Sequence, residues 1–175
     1  MSTEEHRAAG PRQASVFVLT LSDTRDSATD TSGAAIRSAL EAAGHTVAGY
    51  RILREDPERL EREIESVLVA PGYEVLIVSG GTGLAPRDLA YDAFSKLYER
   101  PLPGFGELFR SLSYAEIGSA AMLSRASAGV ARGKLVFSVP GSRAAVRLAL
   151  EKLIVPELGH LLGELRRSRG SPPAV

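Results

Sequence analysis

The sequence predicts an α/β domain built as a three-layer α/β/α sandwich, with a mostly parallel sheet covered by helices on both faces. Three observations carry that reading. Strand-like and helix-like patterns alternate through the chain. The run Val75–Val78 (VLIV) is apolar without interruption, as suits the centre of a parallel sheet covered on both faces. Polar turns follow three of the predicted strands, at Ser22–Asp26, Ser79–Gly83 and Pro140–Ser142.

Residues 1–14 and 169–175 read as disordered tails, leaving one domain over 15–168. Val16–Leu21 (VFVLTL) is the first strand. Ile36, Leu40 and Ala43 recur at helical spacing from about Thr31 to Ala43. Asp30, Thr31 and Ser32 offer N-cap oxygens before that helix, and Gly44 is a natural stop. Thr46–Leu53 reads as the second strand. Pro57 stands where the first turn of a helix tolerates it, and Leu60, Ile64, Val67 and Leu68 form that helix's buried stripe. The Pro71-Gly72 turn leads into the third strand, and helical material follows from about Asp88 to Tyr98. The stretch GFGELFRSLSYAEIGSAAMLSRA gives two short helices joined near Gly118. A short strand, a turn at Arg132-Gly133 and the longer strand Lys134–Val139 form a hairpin, which supplies an antiparallel edge. The segment from Arg143 to about Arg167 is helical, with a break at Pro156.

The 175 residues suit one domain with a buried core. Lys plus Arg and Asp plus Glu both number 21, so the balance supplies no electrostatic argument for nucleic acid or an anionic membrane. Neither is expected as a partner. The absence of cysteine excludes disulfides, thiolate nucleophiles and cysteine-based metal sites. No apolar run approaches the roughly 20 residues of a membrane helix, and MSTEEHRAAGPRQAS lacks the apolar core of a signal peptide. The expectation is a soluble, cytoplasmic protein. His6 in the tail, His45 in a turn and His160 in the last helix occupy structural or solvated positions, which argues against a Ser-His-Asp triad or a histidine-rich zinc site. Chemistry must then rest on carboxylates, hydroxyls, basic side chains and backbone amides.

In an open α/β sheet, ligands sit beyond the carboxyl ends of the strands, and all three polar turns lie on that rim if their strands are parallel. In Ser79-Gly80-Gly81-Thr82-Gly83 the glycines let successive N–H groups point at one spot, an anion nest for which phosphate is the obvious guest. The alternative is a tight strand-to-helix turn with nothing bound. The cluster is neither a P-loop, lacking Gly-Lys-Ser/Thr, nor a dinucleotide fingerprint, since Pro86 stands where the third glycine belongs. Asp88 and Asp92 follow four residues apart on one helical face. They read either as favourable charge at a helix start or as carboxylates for Mg²⁺ bridging to substrate phosphates. Pro140-Gly141-Ser142 repeats the pattern, with Ser142 an N-cap or a hydroxyl donor. Asp23, Arg25 and Asp26 read as turn residues.

With these motifs in place, SGGTG after an apolar strand, RD just beyond it, PGFGELFR, LSRA and VPGS together resemble the MoaB/MogA family of molybdenum cofactor biosynthesis. The similarity spans roughly Val16 to Leu165, and GGTGL, GFGELFR, EIG and PGS are closer to the MoaB branch. The resemblance implies a molybdopterin-binding fold and molybdopterin adenylyltransferase activity. MogA-type enzymes and the related domain of gephyrin join molybdopterin to AMP from Mg-ATP, release pyrophosphate, and hand the product to metal insertion. The alternative within the family is a non-catalytic molybdopterin-binding or carrier protein. Family members form trimers or hexamers.

Carried over by position, Gly80, Gly81, Thr82 and Gly83, with Ser79 ahead of them, match the loop that cradles ligand phosphate. Asp88 matches the acid required for catalysis. Pro140, Gly141 and Ser142 match a second ligand-binding turn, and Ser22 and Asp23 a turn beside the pterin. Asp30 and Gly33 match the D-x-x-G feature that opens the first helix. The sequence departs from the family at one acid. Adenylyltransferases carry a second essential aspartate in a Pro-Asp-Glu stretch, where this chain has Arg54-Glu55-Asp56. Glu55 takes the aspartate's place and shares with Asp88 the implied catalytic and Mg²⁺-binding roles.

Overall fold

The computed structural model describes residues 11–170. The elements run β1 (Ser15–Leu21), α1 (Thr31–Ala42), β2 (Thr46–Leu53), α2 (Leu60–Val69), β3 (Val75–Ser79) and α3 (Ala90–Leu97). Then come β4 (Arg100–Pro101), α4 (Pro103–Ile117), a 3₁₀ segment (Gly118–Leu123), β5 (Ser127–Ala131) and β6 (Lys134–Val139). The last portion is α5 (Arg143–Ala149), a π-helical turn (Leu150–Ile154) and α6 (Val155–Gly170).

Six strands form one sheet in the order β2-β1-β3-β6-β5-β4. β2, β1, β3 and β6 are mutually parallel, whereas β5 runs antiparallel to both β6 and β4. Every residue of β3 and β6 is buried, as the uninterrupted apolar run requires for strands covered on two faces. Alternate strand residues feed two cores. Val16, Val18, Val75, Ile77 and Phe137 pack with α1, α4, α5 and α6 on one face. Leu19, Leu76, Val78 and Val136 pack with Leu60, Ile64, Leu68 and Phe94 of α2 and α3 on the other. Each fully buried aliphatic side chain contributes about 1.5–3 kcal/mol, so the sheet centre is the rigid part that aims the loops at its rim. The antiparallel edge turns where expected. Arg132 and Gly133 both take positive φ, at 49° and 69°, the two-residue hairpin geometry that matches strand twist.

The structure departs from the sequence reading in several places. α3 begins at Ala90 rather than Asp88, because the Asp88 carboxylate accepts the Ala85 N–H while the Asp88 N–H donates to the Ala85 carbonyl. That local ring holds the residues around Pro86 in a turn. Pro57 lies in the turn before α2, where Asp56 accepts the Glu58 N–H through its side chain and the Leu60 N–H through its carbonyl. The two helical pieces from Pro103 do join at Gly118, whose φ is 62°, but the first is a 15-residue helix rather than a short one and the second is 3₁₀. No break occurs at Pro156. A π-turn precedes it, and the wider i→i+5 spacing accommodates the missing proline N–H before α6 continues. β4 was not foreseen, since two residues carry no periodicity. Of the expected tails, 1–10 and 171–175 lie outside the described residues, as does His6. Ala14 is buried and donates its N–H to His45 Nδ1, and α6 extends to Gly170.

Candidate functional site

The turns after β1, β3 and β6 meet in backbone contact. The Gly80 N–H donates to the Val139 carbonyl at 3.0 Å. A β-carbon on Gly80 would stand 2.3 Å from the Leu21 carbonyl oxygen, and one on Gly141 would stand 3.3 Å from Gly80 Cα. Only glycine permits that approach, and Gly80 also has φ 104°. The junction opens onto a cavity of about 650 Å³ at the carboxyl ends of the parallel strands. Ser22 and Asp23, Gly80–Gly83 and Pro140–Ser142 reach it from the three turns, with Glu55 and Asp88 at one side. Ser79 does not line it. Ser79 is fully buried, with its Oγ 3.3 Å from Thr20 Oγ1 between the strands, because the last β3 side chain points into the sheet rather than past its end.

The glycine loop is bonded asymmetrically. Three of its carbonyls are occupied: that of Gly81 accepts the Ala90 N–H, and those of Thr82 and Gly83 accept the Arg125 guanidinium. The N–H groups of Gly81, Thr82 and Gly83 donate to no protein acceptor among the described residues. Gly81 and Thr82 are buried residues all the same. Buried amides are almost always paired, so three consecutive free donors beside a cavity form a seat for an acceptor from outside the chain. α3 does not add its positive end directly to this seat. Its first N–H groups are taken by Glu55 Oε2, through Leu89 at 2.9 Å, and by the Gly81 carbonyl.

The acids are fixed by backbone. Glu55 holds Leu89 through Oε2, and its own N–H donates to Asp23 Oδ1 at 3.1 Å. Burial pushes the Glu55 carboxyl above its ordinary value, and the charges of Asp88 and Asp23 push the same way, against the Leu89 N–H and Arg87. Asp88 Oδ2 accepts the Ala85 N–H at 2.8 Å. Asp92 does not join these acids. It pairs with Arg125 at 3.1 Å on the outer side of α3, since Asp88 precedes the helix and the two share no helical face.

A second network braces the first and third turns. The Ser32 hydroxyl donates to the Gly141 carbonyl at 2.7 Å, and Arg25 donates to Ser32 Oγ at 3.1 Å. Asp30 sits beneath them, caps α1 through the Gly33 N–H, and accepts the Tyr50 hydroxyl at 2.6 Å. Burial pushes its carboxyl up, but Gly33, Thr20, Tyr50 and Arg25 outweigh that and hold it below the ordinary value. Asp30 and Gly33 are therefore scaffold, outside the cavity wall. Ser142 caps α5 by accepting the Ala145 N–H at 3.2 Å, which leaves its O–H free to donate into the cavity.

The opposite wall carries Phe109, Ile117, Leu123 and Leu148, with Ser113 and Glu116 of α4 between them, so the cavity is polar at the strand ends, mixed along α4 and apolar at Leu148 of α5. Sequence reasoning did not identify this wall, nor Arg87 at the rim, nor Arg125, which contacts residues 33–43 positions earlier. The only local trace of Arg125 is its place in the LSRA motif.

Residues 17–160 match the family described as "Probable molybdopterin binding domain". The chain is 45% identical over 170 residues to molybdenum cofactor biosynthesis protein B of Halalkalibacterium halodurans, covering 97% of this chain and 100% of that protein. Among solved structures it resembles a molybdenum cofactor biosynthesis protein B, with TM-score 0.85 and 46% identity over 90% of this chain and 98% of the other. It also resembles the tungsten cofactor synthesizing protein MoaB from Pyrococcus furiosus, with TM-score 0.76 and 36% identity over 89% and 99% of the two chains.

Proposed function

The chain belongs to the MoaB/MogA family of molybdopterin-binding domain proteins, and on that premise we propose that it binds molybdopterin and transfers AMP from ATP to its terminal phosphate. A phosphate oxygen of molybdopterin attacks the α-phosphorus of ATP, the bond from that phosphorus to the bridging oxygen breaks, and pyrophosphate leaves. Such chemistry asks for positioning and charge neutralisation rather than a reactive side chain, which agrees with a cavity lined by amides, hydroxyls and carboxylates.

The observation that carries this reading is the trio of free N–H groups at Gly81, Thr82 and Gly83, beside two carboxylates in one cavity. The amides would hold an anionic phosphate group, with the Ser142 hydroxyl as a further donor. The apolar wall toward Phe109 and Leu148 suits a flat heterocycle. Glu55 Oε1 and Asp88 Oδ1 accept no hydrogen bond among the described residues, and as hard oxygen donors they fit Mg²⁺, which takes one or two protein carboxylates and completes its shell from phosphates and water. When bound, Mg²⁺ neutralises phosphate charge.

One observation favours a non-catalytic carrier instead. Glu55 Oε2 is committed to the α3 start through Leu89, a structural duty that limits its freedom toward a metal. Incubation with molybdopterin, Mg²⁺ and ATP separates the two. Pyrophosphate release supports adenylyl transfer; tight pterin binding without pyrophosphate supports the carrier.

On this proposal the protein is a homo-oligomer, trimer or hexamer, that hands its product to a molybdenum-inserting enzyme. Leu108, Tyr114 and Met122, on α4 and the 3₁₀ segment, are 57%, 65% and 75% exposed. Apolar exposure clustered on one segment marks an interface. Light scattering on the Tyr114→Glu/Met122→Glu variant should report a smaller species, and an unchanged mass would remove this face from the assembly. Among the described residues, no helix is long and apolar enough to cross a membrane.

A further inference from the structure

Arg125 touches the loop and not the cavity. Its Nε donates to the Thr82 carbonyl at 3.2 Å, and its Nη2 to the carbonyls of Gly83 and, at 2.9 Å, Asp88. Nη1 meets Asp92 Oδ2 at 3.1 Å, and the guanidinium lies 4.9 Å from the centre of the Tyr91 ring. One side chain thus gathers three backbone carbonyls from a seven-residue stretch and is itself held by α3.

In a planar trans peptide the C=O of one residue and the N–H of the next point in opposite directions. An anchor on the Thr82 carbonyl therefore turns the Gly83 N–H away from Arg125, on the side where Gly83 lines the cavity. The Gly81 carbonyl, held by the Ala90 N–H, does the same for the Thr82 N–H. Loops rich in glycine flip their peptides at little cost, and a flipped peptide here would present a carbonyl oxygen to an incoming anion. We propose that Arg125 is the positioning residue that locks the glycine loop in its anion-accepting orientation, by binding the carbonyl face of the Thr82–Gly83 peptide, whose amide face receives phosphate, and bracing the loop through the Gly83 and Asp88 carbonyls beyond it. Only a planar fork with several donors fills this role; the point charge of lysine cannot reach three carbonyls at once.

The ligand and kinetic arms of the test rest on the phosphate-site reading above, whereas amide exchange is independent of it. Arg125→Ala and Arg125→Lys are compared with wild type in the full chain. The amides of Ala85, Asp88 and Ala90 are bonded within the loop. They should exchange about tenfold or more faster in Arg125→Ala, with β3 amides unchanged. The dissociation constant for inorganic pyrophosphate and the KM for Mg-ATP should each rise about tenfold or more, and Arg125→Lys should fall between. A purely structural role would lower the active fraction, and so kcat, without moving KM. Lys96→Ala, which removes an exposed ion pair of α3 that does not touch Arg125, should leave pyrophosphate affinity unchanged. Wild-type exchange and affinity in Arg125→Ala would overturn the proposal, as would an equal loss of affinity in Lys96→Ala. Should wild type bind no pyrophosphate and form no product, the adenylyl-transfer reading falls, and the exchange rates alone decide the role of Arg125. If Arg125→Ala fails to fold, Arg125→Lys carries the same comparisons.

Discussion

Gly81 and Glu55 share one corner of the cavity: a β-carbon on Gly81 would stand 2.3 Å from Glu55 Oε2 and 2.9 Å from Ala90 Cβ. The glycine also has φ 66°. The acid can therefore cap α3 and face the cavity only because residue 81 has no side chain. Gly81→Ala should displace Glu55 or the loop, lowering stability by about 1–3 kcal/mol. It should weaken anion binding by a larger factor than any loss of folded protein explains. Urea unfolding alongside pyrophosphate titration checks both. Wild-type affinity in a stable Gly81→Ala protein would detach Gly81 from the site.

The raised Glu55 carboxyl has a pH signature. Between its ordinary value of 4.5 and its higher folded value, the native state binds more protons than the unfolded state. Stability contributed by this group is therefore present at low pH and lost as pH rises through the folded value. Glu55→Gln keeps an oxygen for the Leu89 N–H and removes the charge that Asp88 and Asp23 repel. In metal-free buffer the variant should be at least as stable as wild type at neutral pH, with that slope absent, while adenylyl transfer falls. Melting temperatures across the acid-to-neutral range test the first claim. A less stable Glu55→Gln at neutral pH would contradict it.

Asp88→Asn retains an oxygen for the Ala85 N–H, so the turn should persist while the charge is lost. Turnover should drop about a hundredfold or more, with molybdopterin affinity nearly unchanged. Pyrophosphate release measured beside pterin binding distinguishes this from collapse of the loop. Near-normal product formation would end the assignment of Asp88 as a metal-holding acid.

Asp30 is the buried charge on which the first turn stands, with a side chain 0% exposed. Removing it in Asp30→Ala strands the Tyr50 hydroxyl and the Gly33 N–H and takes away the ion-pair partner of Arg25, and should cost about 2–4 kcal/mol. Tyr50→Phe should cost about 1–2 kcal/mol, leaving Asp30 Oδ2 short of a donor. Because the Asp30 carboxyl is held below its ordinary value, its contribution is present above the unfolded pKa and disappears as pH falls through the folded one. Asp30→Asn should flatten that acid limb in denaturation curves. An unaltered limb would assign it to other carboxylates.

The elements legible in the sequence were those with strong local signals. Periodicity placed α1 and β6 within a residue or two, and the unbroken VLIV run marked β3 as central. Gly44, Gly118 and the Arg132-Gly133 pair fall where the chain takes positive φ. Glycine placement also located two of the three turns that meet at the cavity, Ser79–Gly83 and Pro140–Ser142, while polar residues after a strand marked the third, Ser22–Asp26. Less was legible where a side chain bonds backbone instead of continuing a periodic pattern. The start of α3 depends locally on Asp88 folding back on Ala85, and its Leu89 N–H is held from a distance by Glu55, 34 residues earlier. Ser79 reads as part of the loop in sequence, yet the strand pleat turns it into the sheet.

The sequence by itself determined the fold class, through hydrophobic period and turn position, and the family, through the order of its motifs, because both are local properties of the chain. Only the tertiary structure decided which face of the glycine loop is free. That depends on Arg125 reaching back to Thr82, Gly83 and Asp88, and on Glu55 lying where Gly81 has no β-carbon. Peptide orientation in a glycine loop has almost no intrinsic preference, so the partners that take its carbonyls, Ala90 at the start of α3 and Arg125 from beyond α4, set the direction of its amides.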